Sequence, residues 1–108
     1  MSAIDKVTAH WASVSALRQI EVPEWELTVW YRPPNVAERM RLERALKEDG
    51  DHAAAVEAVV LLARDDAGQR IFRDADKPEL MRKADPAVIT RLATAMMSGP
   101  DPEEVGNA

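Results

Sequence analysis

VPEWELTVWYRPPNVAER, residues Val22–Arg39, contains three of the five aromatic side chains in the sequence, Trp25, Trp30 and Tyr31. It also contains a change of period. Ile20 and Val22 alternate with Gln19 and Glu21 just before Pro23. After it, Leu27, Val29 and Tyr31 fall on one side of an alternating run, with Glu26, Thr28, Trp30 and Arg32 on the other. Two β-rich runs joined by a Pro-containing connection predict a hairpin. Pro33 and Pro34 end the second strand, because neither donates to a ladder. Asn35 and Glu38 then stand three residues apart, as a capping box requires, and predict a helix start.

Outward from this stretch the pattern is helical. Towards the N-terminus, Ile4, Val7, Trp11 and Val14 recur at three- and four-residue steps, which predicts a helix over Ser2–Val14 with Trp11 as its anchor. Towards the C-terminus, the helix beginning at Asn35 is expected to run to about Glu48, using Met40, Leu42 and Leu46, and to stop at Gly50. Asp51 is expected to cap a second helix reaching Arg64, with Val56, Val59, Val60 and Ala63 buried at the centre of the core. Asp65–Gly68 reads as a turn and Gln69–Phe72 as a short extended piece. Asp76 is the expected cap of a brief helix with Pro78 in its first turn. Asp85-Pro86 opens a last helix whose Val88, Ile89, Leu92 and Met96 form one stripe, ended by Gly99-Pro100. The expected fold is α+β but mainly helical. An N-terminal β-hairpin packs with about four helices in a single domain over residues 1–99, and residues 100–108 form a disordered, flexible acidic tail.

A chain of 108 residues has room for one modest core. Its net charge of -5 and scattered Lys and Arg argue against binding nucleic acid, which takes clustered cations. No run approaches the roughly 20 apolar residues of a membrane span. The N-terminus lacks the apolar region of a signal peptide, so a cytoplasmic location is expected. There is no cysteine, and His10 and His52 stand far apart without neighbouring donors, so no metal or other cofactor is expected. Asp65-Asp66-Ala67-Gly68 is superficially similar to a calcium loop but lacks its alternating acids and closing Glu. The glycines stand alone at element ends, and no serine sits in a nucleophile-elbow context. The residues predict a protein that is not an enzyme.

What remains is the aromatic cluster. Trp11 fits core packing. Trp25 and Trp30 fit either core or contact, since Trp30 faces away from Leu27, Val29 and Tyr31, and a domain this small cannot easily cover both faces of a hairpin. Trp25, Trp30 and Tyr31 are the candidate partner-binding residues. The edge of the hairpin is a second place where another chain can pair.

The order of these features resembles the tail assembly chaperones of long-tailed bacteriophages and prophages. The Val-Pro-Glu-Trp turn, the strand ending in Arg-Pro, the Asn-Val-Ala-Glu-Arg helix start, the Asp-Asp-Ala-Gly-Gln-Arg-Ile-Phe turn and the last helix with its acidic tail carry the likeness from Val22 to Ala108. The resemblance implies a protein that binds the tape measure protein, keeps it soluble, helps recruit tail tube subunits and is lost from the mature virion. It also implies a longer form made by ribosomal frameshifting that contacts the tail tube protein, and a place of action in the bacterial host cytoplasm. Val105-Gly106-Asn107 is compatible with a slip site if encoded GTG GGA AAC. A homo-oligomer, several copies along one long client, would exploit multivalency. The alternative is a small structural or adaptor protein, such as a virion connector or a partner-stabilising subunit.

Overall fold

The computed structural model describes residues 2–98. Helix α1 (Ala3–Val14) leads into strands β1 (Arg18–Val22) and β2 (Leu27–Tyr31). Helices α2 (Val36–Asp49), α3 (Asp51–Leu62), α4 (Lys77–Lys83) and α5 (Pro86–Met97) follow. The expected acidic tail and the Gly99-Pro100 stop lie outside the described residues.

The predicted hairpin forms, with Ile20 opposite Val29 and Val22 opposite Leu27. Its turn is a 3₁₀ segment over Pro23–Trp25, where Pro supplies a fixed φ. Glu26 completes the reversal in the left-handed region at φ 55°, an uncommon place for a residue with a Cβ. One face of the hairpin buries Val22 and Val29 completely. The other carries Gln19, Glu21, Thr28 and Trp30, and remains directed outward, with Gln19 and Glu21 exposed. The far edge of β2 is taken up by the chain itself: Trp30 and Arg64 exchange backbone hydrogen bonds of 2.8 and 2.7 Å. Arg64 in turn bridges to Arg70, so the short extended piece after the Asp65 turn serves as sheet margin. Among the described residues the sheet has two strands, so β1 pairs with no strand other than β2.

The core is built around α3. This helix is apolar on nearly every side, and such a helix must be enclosed. Residues 56–62 are all buried, and α2, α4 and α5 pack around them. The predicted stripe of α5 holds: Val88, Ile89, Leu92 and Met96 are all buried. The capping box of α2 is present, with Glu38 N–H donating to Asn35 at 2.8 Å and Asn35 N–H donating to Glu38 at 3.0 Å. Asp85 accepts from the Ala87 amide as a cap for α5.

Several expectations need correction. Gly50, not Asp51, is the N-cap of α3. It ends α2 and starts α3 at φ 91°, and one residue can make so tight a joint only without a Cβ. Asp51 sits in the first turn of α3, where its charge suits the helix dipole. The helix ends at Leu62, two residues before Arg64, because the backbone of Arg64 is needed by Trp30. Asp76 does not cap α4 with its side chain. Its carboxylate accepts from the Arg73 amide at 2.8 Å, closing a 3₁₀ turn over Asp74–Asp76 that runs directly into the helix.

Candidate partner-binding surface

Helix α1 forms where predicted, with a capping box between Ser2 and Asp5, but it buries no residue. Ile4 and Val7 are 65% and 61% exposed. Trp11 does not enter the core as expected; it is half-buried, and the Arg32 guanidinium lies over its ring at 5.7 Å. This cation–π contact is the one specific tether of α1 on view among the described residues.

Arg32 is held for that role from the other side. It donates twice to Glu38, at 2.7 and 3.0 Å, in the parallel geometry that suits guanidinium and carboxylate. Glu38 is also the capping-box acid of α2. A single carboxylate therefore ties the end of β2, the start of α2 and, through Arg32, the arm α1. Burial pushes the Glu38 carboxyl up, but Arg32, the Asn35 amide and Arg64 outweigh it and hold it below the usual carboxylate range. Arg64, 3.9 Å away, is held below the ordinary arginine value by burial and by the neighbouring Arg32. Its Nε is buried with no hydrogen-bond partner.

Between α1 and α2 lies an open cleft of about 710 Å³. Val7 and Trp11 form one wall, and Val36, Ala37 and Met40 form the other. Pro34 closes the end, and Arg39 and Glu43 stand on the margin. Val36 and Met40 are 78% and 57% exposed. Helix α2 thus carries two apolar stripes. Leu42 and Ala45 face α3, whereas Val36 and Met40 face α1 across the cleft. Of the three apolar contributors named for this helix, Leu42 alone is buried; Met40 is exposed, and Leu46 is half-exposed beside a second, smaller groove floored by Ala54, Ala55 and Ala58.

The hairpin aromatics sit elsewhere. Trp25 is half-buried against the core and meets Phe72 edge-on, with ring centroids 6.1 Å apart. Tyr31 also packs against the core. Trp30 is half-buried on the outward face. The fold does not bring the three into one patch, since Trp30 and Tyr31 point to opposite sides of β2. The turn itself is pinned to α5, where Arg91 donates two 2.8 Å bonds to Glu24 and brings its pKa down to about 2. The sequence reading missed the cleft. Its signal was the four-residue spacing of Val36 and Met40, off the Leu42–Ala45 stripe.

A hairpin followed by a helical layer around one apolar helix also has a counterpart among solved structures. One solved structure with this fold is that of the bacteriophage HK97 tail assembly chaperone, with a TM-score of 0.61 at 18% sequence identity. The match covers 90% of this chain and 99% of that one, so the likeness is of the whole fold. No protein-family model and no curated protein matches the sequence. No helix among the described residues is long and apolar enough to cross a membrane.

Proposed function

We propose that this chain is a tail assembly chaperone. It is a non-catalytic protein of the bacterial host cytoplasm that binds the tape measure protein of a long-tailed phage or prophage, keeps it soluble, and helps recruit tail tube subunits. The observation that carries this reading is the fold likeness to the HK97 protein over nearly the full length of both chains. The exposed apolar surface supports it, because a chaperone of this kind works by lending such surface to a client. A frameshifted longer form would supply the contact with the tail tube protein.

The test is co-expression with the tape measure protein of the same phage or prophage. The client is expected in the soluble fraction only when this chain is present, and the chain is expected to be absent from purified particles. Equal solubility of the client with and without it would refute the proposal. Recovery of the chain from finished particles would favour a connector instead.

A further inference from the structure

Resting on the chaperone reading, we infer that the cleft between α1 and α2 is the docking groove for the client, and that it takes an amphipathic helix with carboxylates along its flank. Three observations carry this. The first is the state of α1. An isolated helix of this length is marginal in water. Here it is tethered at Trp11 and leaves Ile4 and Val7 uncovered, with Val7 across the cleft from Val36 and Met40. A third apolar helix laid between them would cover both stripes at once, in the helix-in-groove mode of recognition.

The second is what the walls offer. Both are helices whose peptide groups, beyond the first turn, are paired within the helix, so they present side chains and no strand-like backbone edge. An extended occupant would leave its own amides and carbonyls unpaired there, whereas a helix satisfies them internally.

The third is charge. By helical periodicity, Arg39, Glu43, Arg44 and Lys47 share the side of α2 that bears Val36 and Met40. Arg39, Arg44 and Lys47 have no ion pair among the described residues, unlike Arg41 on the opposite side, which is engaged by Glu57 and Asp74. The apolar stripe of α1 carries no charge. Arg39 and Glu43 line the cleft, and Arg44 and Lys47 continue the same side of α2 beyond it, so this side carries three cations against one carboxylate on a chain whose net charge is -5. Such a margin attracts an acidic flank and repels a basic one. It also disfavours a second copy docking through α2, because the same three cations would meet.

The test uses three labelled amphipathic peptides with a common leucine stripe: one with Glu flanks, one with Lys flanks, and one a scrambled form of the Glu peptide. Each is titrated into the full chain at low salt. The Glu peptide is expected to bind at least about tenfold tighter than the other two, consistent with electrostatic selection at an interface. The double variant Val7→Asp/Met40→Asp changes exposed positions only, and is expected to lose about tenfold or more of that affinity. Arg39→Glu/Arg44→Glu/Lys47→Glu is expected to reverse the preference towards the Lys peptide. Equal or tighter binding of the Lys peptide to the wild-type chain would overturn the inference. So would full binding by the Asp variant, or a homodimer that only the Asp variant dissolves. Co-expression separates the two claims. If the wild-type chain and the Asp variant solubilise the tape measure protein equally, the groove assignment fails and the chaperone reading stands. If the wild-type chain fails to solubilise it, the chaperone reading and the client named here both fall.

Discussion

Helices α1 and α3 are each 12 residues long, yet the fold treats them oppositely. Helix α3 buries eight residues, and α1 buries none. The cause is composition around the helix. Helix α3 has apolar side chains on almost every side and is enclosed by α2, α4 and α5. Helix α1 has a single stripe, and that stripe looks across a cleft. One helix holds the protein together, and the other, with the exposed stripe of α2, is left for something outside it.

The contrast can be broken most severely at the core. Leu62→Ala and Leu92→Ala remove completely buried side chains and are expected to cost about 2–5 kcal/mol each in denaturant unfolding. Val7→Ala in α1 should stay within about 0.5 kcal/mol, the range for surface positions. A loss at Val7 comparable to that at Leu62 would mean that α1 belongs to the core.

Next comes the one buried charge of α3. Glu57 is 6% exposed and is held by Arg41 at 2.6 Å and Lys77 at 2.8 Å. Burial pushes its carboxyl up, but Lys77 and Arg41 prevail and hold it below the usual range. Glu57→Gln should cost about 2 kcal/mol, reduced from the fully buried case because both cations reach solvent. The pH dependence has a definite sign. A carboxyl with a lowered folded-state pKa adds stability that is fully present above its unfolded value of about 4.3 and is lost as pH falls through the folded value. Glu38 and Glu57 both act in this direction. The denaturation midpoint should therefore fall on acidification below that range, less steeply in Glu57→Gln. An identical slope in the variant would contradict the assignment.

The tether of α1 gives a smaller effect. Arg32→Ala removes the contact with Trp11 and one partner of Glu38, for an expected loss of about 1 kcal/mol. Its diagnostic readout is tryptophan fluorescence, which should shift towards that of a solvated indole while the core helices keep their circular dichroism. The smallest expected change is in Val7→Asp/Met40→Asp, whose stability should match the parent within about 0.5 kcal/mol despite two added charges.

The sequence told these two helices apart only in part. The periodicity of α5, the apolar richness of α3, the capping box of α2 and the existence of the hairpin were all legible, because each is a local pattern with a local cause. The misreadings were long-range. Trp11 looked like a core anchor, since a large aromatic on an apolar stripe usually is one. Nothing in residues 3–14 reveals that Arg32, far along the chain, will hold the ring at the margin. Met40 was grouped with Leu42 although α2 has two apolar stripes, and only the packing of α3 against Leu42 and Ala45 decides which faces inward. Gly50 was read as a stop but not as a cap, because its double use depends on how tightly α2 and α3 turn. The bridge from Trp30 to Arg64 had no sequence signal at all.

In the proposed role, α1 is an outward arm that gains its partner from the client. Amide hydrogen exchange along residues 3–14, measured for the free chain and for its soluble complex with the tape measure protein, tests this directly. Fast exchange in α1 of the free chain, against slow exchange in α3, followed by marked slowing of α1 in the complex, is the predicted result. Protection of α1 already equal to that of α3 in the free chain, or no change in α1 on complex formation, would contradict it.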